Sequence, residues 1–251
     1  LALTAIGADP TDVADHNLLE AFSDYSKLDT GSIYDIYSLV YVLMALDSKD
    51  YAIPIVEDVA EENRTTREKL VNYILNTAYS VEEGCWGMDD WFTGEWKADP
   101  ELTAYAIQAL APYYSTNEKV KIAIDGAIDY LSACQQADGY YMAYGSANGC
   151  ATAQVACALV EMGINIHTDE NFVKEKSLLE GMLAFYDEEN GGFMNYLNGN
   201  VDWEFSSVQV GYALASYNRF VNAQNSLFDM SDATNIYMCA GEHTEGELCD
   251  V

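Results

Sequence analysis

Basic residues are scarce in this chain: 11 Lys and Arg stand against 41 Asp and Glu, a formal charge of −30. A surface of that sign repels phosphate backbones and anionic headgroups, which argues against nucleic acid and the membrane surface as partners. Histidine is almost missing. His16, His167 and His243 are the three present, all in polar, loop-like or helix-start contexts that suit solvated side chains better than zinc ligands. No apolar run reaches the roughly 18 residues of a membrane-spanning helix, so membrane insertion is not expected. The chain opens on Leu1 instead of Met, and Ala2–Gly7 reads like the closing turns of a helix found whole further on. It is therefore expected to be a piece of a longer protein. The six cysteines permit disulfides without establishing them. Cys157 reads as a small buried apolar residue, while Cys239 and Cys249 flank a polar, Gly-containing tail in which a local bridge and two free thiols are both open.

What is present is repetition. Glu83-Gly84-Cys85-Trp86 leads to Thr103–Leu110, Gln135-Gln136-Ala137-Asp138-Gly139-Tyr140-Tyr141 leads to Ala151–Leu159, and Asn190-Gly191-Gly192-Phe193 leads to Ser207–Leu214. Thr103, Thr152 and Ser207 line up, as do Ala109, Ala158 and Ala213, each followed by Leu. Ile36–Leu46 is a fourth helix of this kind, preceded by the weaker loop Thr30–Ile33. Self-similarity on this scale marks units that bury their apolar faces only by stacking on one another.

Two kinds of helix alternate. Runs such as Thr103–Leu110 are apolar almost all round and must be buried, with Ala allowing close approach; runs such as Val120–Leu131 have one apolar and one charged face. The outer set is predicted near 18–25, from Thr65 with Glu68 at capping-box spacing, over 118–135 and over 169–186. Asp99-Pro100-Glu101 opens an inner helix with Pro at its first position. The expected fold is all-α: an α/α toroid of inner and outer helices with a truncated first repeat, occupying residues 1–230, its aromatic loops gathered at one end. Residues 231–251 are expected to form a tail or cap. The acidity suits a secreted or surface-displayed protein.

This grammar resembles the α/α toroid superfamily of terpenoid cyclases, protein prenyltransferase β subunits, complement thioester domains and the α-domain of cobalamin carriers. It is most similar to the prenyltransferase/squalene-oxidase repeat domains of bacterial surface proteins, from Leu1 to about Asp232. Gln135-x-x-Asp138-Gly139-x-Tyr141 resembles the QW repeat of triterpene cyclases with Tyr for Trp; that resemblance implies a structural task for Gln135, Asp138, Gly139 and Tyr141, and for Trp86 and Phe193 at the equivalent places. The chemistry of the enzymatic branches is not matched. Proton donation to an alkene needs a full Asp-x-Asp-Asp cluster, whereas Gly87-Met88-Asp89-Asp90 has Gly first. No Asp-x-Cys pair offers zinc to a thiol, and neither Gly84-Cys85 nor Gly149-Cys150 continues into the Gly-Glu-Gln of a thioester.

A shaped surface remains. Trp91, Trp96 and Trp203 fall outside the repeat register and, with Tyr144 and with Asp89 and Asp90 on the rim, are the candidate ligand-binding residues of an aromatic site at the mouth of the ring. The function expected is a non-catalytic binding or adhesion module for a small molecule, glycan or protein. The alternatives are a cobalamin carrier and a cyclase- or prenyltransferase-like enzyme using Asp89 or Asp90 as acid. Asp89, Asp90, Glu95 and Asp99 also raise calcium, though without EF-hand spacing.

Overall fold

The computed structural model describes residues 1–32, 34–90 and 93–234. The expected tail therefore lies almost wholly outside the described residues, as do Trp91, His243, Cys239 and Cys249.

Among the described residues the helices are α1 (Ala2–Ala5), α2 (Tyr25–Leu28), α3 (Asp35–Asp47), α4 (Arg67–Asn76), α5 (Pro100–Leu110), α6 (Glu118–Cys134), α7 (Gly149–Glu161), α8 (Leu178–Leu183) and α9 (Ser206–Val221). The strands are β1 (Tyr79–Ser80), β2 (Cys85–Asp89), β3 (Trp96–Ala98), β4 (Tyr141–Ala143), β5 (Ser146–Asn148), β6 (Tyr186–Asp187) and β7 (Gly192–Phe193). Helices α4, α5, α6 and α7 start where a short polar side chain takes the place of a missing backbone acceptor, whereas α3 and α9 have Tyr34 and Phe205 at that position and no side-chain cap. Asp99 Oδ1 accepts from the Leu102 N–H at 2.8 Å, and Asn148 Oδ1 from the Ala151 N–H at 2.8 Å. For α4 the cap is Thr66, which accepts from the Lys69 N–H, one residue later than the capping-box spacing suggested; the buried Thr65 hydroxyl has no partner.

Helices α3, α5, α7 and α9 stand in a row, with α4, α6 and α8 packed behind them. Helix α7 is buried from Gly149 to Val160 because it has α5 on one side, α9 on the other and α8 at its back. Ala104, Ala106, Ala153, Ala156 and Ala158 are all in the core, where their small side chains allow the helices to close up.

An all-α fold is not what forms. Among the described residues about 45% is helix and 13% strand, a mixed structure with three small antiparallel sheets in the order β1-β2-β3, β4-β5 and β6-β7. The segments read as aromatic loops are hairpins. Their backbone lies against the helix ends, where buried N–H and C=O groups must be paired, and short ladders pair them. Tyr141-Met142-Ala143 alternates buried, exposed, buried, the period of a strand and not of a loop. Nor does extensive packing between α9 and α3 close the row into a ring among the described residues.

The outer layer is also shorter than the periodicity suggested. The helix expected over 169–186 is cut to α8 because Ser177 and Glu180 form a reciprocal capping box there. Ahead of that cap the chain is drawn to another acceptor: the Glu175 and Lys176 N–H groups both donate to Ala137 O, at 3.1 and 3.0 Å. The helix expected near 18–25 is a 3-10 turn at Leu18–Phe22 and then α2, separated where Asp24 caps Ser26.

Candidate functional site

Three hairpins meet the N-terminal ends of α5, α7 and α9, and one contact positions all of them. The Trp86 N–H donates to Thr103 Oγ1 (3.1 Å), the Tyr141 N–H to Thr152 Oγ1 (3.0 Å) and the Phe193 N–H to Ser207 Oγ (2.9 Å). The aligned hydroxyls thus hold the aligned aromatics. The Trp86 indole donates to Ile74 O at 2.6 Å and the Tyr141 hydroxyl to Leu131 O at 2.8 Å, each near the end of the preceding outer helix. Carbonyls there lack intrahelical partners, so one aromatic side chain ties a hairpin to an outer helix. Gln135 Nε2 joins Gly139 O and Phe172 O, at 3.0 and 3.1 Å, and Asp138 pairs with Lys176 at 3.0 Å.

Glycine sets the closest approaches. Gly139 has φ +89, and a Cβ there would lie 2.2 Å from Ser177 O; across the contact, a Cβ on Gly181 would lie 2.2 Å from Gly139 C. Gly87, the residue that stands first where the cyclase motif has Asp, lies under the Trp96 ring, with room for a Cβ already taken by Lys97 O and Trp96 Cζ2.

Between the β2–β3 and β4–β5 hairpins lies a cleft of about 590 Å³. Met88, Met142, Tyr34 and Tyr144 give it thioether and aromatic walls, and Asp89, Asp90, Lys97 and Asp99 supply its polar groups. That size and mixture fit a small-molecule site or a socket for a side chain. Tyr144 is 84% exposed at the hairpin tip. It has φ +53 and is followed by Gly145 at φ +78, the left-handed pair that a two-residue hairpin turn of the I′ kind requires. Asn or Asp is the usual occupant of the first corner, so an aromatic there is held out into solvent at some backbone cost.

Of the residues singled out from sequence, the structure brings together Asp89, Asp90 and Tyr144. Trp96 pairs across the ladder with Asp89 but spends its ring on Gly87. Trp203 is 59% exposed and packs on Gly192 of the third hairpin, outside this cleft. Asp90 is held by Lys97 at 2.8 Å and accepts from the Thr93 N–H at 2.9 Å. Burial raises the Asp99 carboxyl above its usual range. Burial, and then the Asp99 charge, push Glu101 up to about 7. A helix N-terminus favours carboxylates, yet here loss of water outweighs it.

Sequence reasoning passed over Tyr34, Met88, Met142, Lys97 and Glu101, and also a row of amides along the inner helices. Gln108 Nε2 donates to Gln154 Oε1 at 3.0 Å; Gln154 Nε2 in turn donates to Gln209 Oε1 at 3.2 Å and to the Tyr212 hydroxyl. The signal was available, because an amide inside an otherwise apolar buried helix must find partners. Among the described residues no group of three or more His, Cys, Asp or Glu is placed to hold a metal ion, and no helix is long and apolar enough to cross a membrane.

Comparison with protein-family models, with characterised proteins and with solved structures returned no match.

Proposed function

We propose that this chain is a non-catalytic binding or adhesion module of a secreted or surface-displayed protein, its ligand seated in the cleft between the first two hairpins. The observation that carries the reading is the conjunction, in one cleft of about 590 Å³, of two methionines and two tyrosines with a carboxylate rim. Thioether and aromatic surfaces adapt to an apolar or stacked ligand face, and the rim fixes its orientation. The carboxylates are already engaged in ways that suit positioning: Asp90 with Lys97 and Thr93, and Asp99 as the cap of α5.

The test is a binding screen over glycans, peptides and corrinoids, followed by Tyr144→Ala and Met142→Ala. Both side chains are exposed, so the fold should tolerate their loss. Binding of one class, weakened about tenfold or more by either variant, is the expected result. A ligand whose affinity ignores both substitutions, or the absence of any binder together with turnover of a polyprenyl substrate, would refute the reading.

A further inference from the structure

The repeats supply an internal comparison for the cleft between the first two hairpins. Between the second and third hairpins the chain closes the equivalent junction with its own backbone: Asn148 bridges to Tyr196, and the Gly149 N–H donates to Asn195 O at 2.8 Å. Asp99 and Asn148 hold one place in the repeat, each capping an inner helix four residues before the aligned Thr103 or Thr152. Ala143 and Asn195 likewise stand two residues after the aligned Tyr141 and Phe193. The counterpart of the Gly149 bond would therefore run from Pro100 to Ala143 O.

It cannot form, because Pro100 has no N–H to give. Its ring is also in the way. A Cβ at Gly149 would already lie 2.5 Å from Met194 O, so glycine is what lets the second and third hairpins meet so closely. In place of the first junction stands the cleft, lined by Ala98, Pro100, Ala143 and Tyr144.

The open junction leaves a strand edge unpaired. In the β2–β3 ladder the Asp90 N–H donates to Glu95 O at 2.8 Å and the Asp99 N–H to Trp86 O at 3.0 Å, so Lys97, midway between, turns its backbone groups towards β2. Ala98 turns the other way. Its N–H and C=O lie on the outer edge of the sheet, beside the cleft, with no hydrogen-bond partner among the described residues. Backbone groups so placed are a template for another strand.

Side chains around that edge narrow the choice of strand. Met88 and Met142 offer apolar surface. Asp89 is exposed at the rim, whereas Lys97 is already taken by Asp90 at 2.8 Å. A chain of net charge −30 also draws basic segments towards it.

We propose that an extended peptide segment carrying basic side chains binds in this cleft as a strand added to the edge of β3, an inference that rests on the cleft being the binding site. The peptide backbone exchanges hydrogen bonds with the Ala98 N–H and C=O. Its apolar side chains cover Met88 and Met142, and a basic side chain reaches Asp89. Backbone pairing supplies affinity, and alternate side chains supply selectivity.

The experiment titrates the end-capped hexapeptide Val-Lys-Val-Lys-Val-Lys into the full chain by calorimetry, in about 0.15 M salt to screen long-range attraction. A counterpart with every backbone amide N-methylated keeps the charge and side chains but has no N–H to donate. Saturable binding of the first is expected, about tenfold or more tighter than the second. Ala98→Pro should weaken it by a similar factor, since proline at an outward-facing edge position removes a free donor without breaking the ladder. In the unmodified chain the Ala98 amide should exchange with solvent about tenfold more slowly in the complex, which decides the matter should Ala98→Pro fail to fold. Absence of saturation, or an Ala98 amide left unprotected, would overturn the proposal alone, because the cleft has its own screen. Equal binding of the two peptides, weakened by Tyr144→Ala, would overturn strand addition and keep the cleft as the site. An affinity indifferent to both Ala98→Pro and Tyr144→Ala would remove both.

Discussion

Thr152 carries its hydroxyl between Asn148 O at 2.6 Å and the Tyr141 N–H at 3.0 Å, both buried. Thr152→Val keeps the shape and strands that N–H, which should cost about 1–3 kcal/mol in urea unfolding. Thr103→Val should behave alike, since it strands the Trp86 N–H. Ser207→Ala should cost less, about 1 kcal/mol or under, because Phe193 and Ser207 are only half-buried and water can replace the hydroxyl. Equal losses at all three positions would show that the repeat contacts are not what holds the hairpins. The glycines give a sharper contrast. Gly139→Ala places a Cβ 2.2 Å from Ser177 O at φ +89 and should cost about 3 kcal/mol or more, whereas Gly145→Ala, at φ +78 in open space, should cost about 1–2 kcal/mol. Thermal melts of the two variants measure the difference.

At the scale of elements, the first turn of α5 carries opposing requirements. Asp99 caps the helix, and Glu101 two residues on is raised from 4.5 to about 7, first by burial and then by the Asp99 charge. A carboxyl raised on folding holds its proton better in the native state. Its contribution to stability is therefore complete below about 4.5 and is lost as pH rises through about 7. Glu101→Gln should accordingly gain on the unmodified protein between about pH 4.5 and about pH 8, by roughly 1–3 kcal/mol once partial exposure is allowed for. Urea midpoints at the two pH values read this directly, and parallel pH profiles would mean that Glu101 is solvated. The hairpins set before α5, α7 and α9 are also an element-scale result. Met142 between buried Tyr141 and Ala143 carries strand periodicity, but three residues are too few to stand out beside helices of 11 to 17 residues.

For the molecule as a whole, the governing number is the charge of −30. Like charges on a compact surface repel, and salt screens them. Raising sodium chloride from about 0.01 to about 0.1 M shortens the screening length from about 30 to about 10 Å, and should stabilise the fold by about 1 kcal/mol, or roughly 2–4 °C in the melting midpoint by calorimetry. An unchanged or lower midpoint would mean that the carboxylates are balanced locally. Local pairs do exist, as at Asp47–Arg67 and Asp90–Lys97, but 11 basic residues cannot match 41 acidic ones.

The buried row was written in composition: Thr103–Leu110 and Ala151–Leu159 have no polar face to offer water, so burial was their sole stable outcome. The alignment of Thr103, Thr152 and Ser207 was equally readable, because a repeated hydroxyl in an apolar helix must meet a repeated partner. Tertiary structure alone decided the rest. Whether the aromatic segments would pair as strands depended on backbone groups brought close by helices distant in sequence. That Trp96 would lie on Gly87 while Tyr144 faced the cleft depended on hairpin twist and register, which no single stretch encodes. Glu161 looks like any surface carboxylate in the sequence; it becomes a partly buried carboxyl that holds its proton more tightly when the chain after α9 folds back over three helix ends, a long-range packing event that local pattern cannot announce.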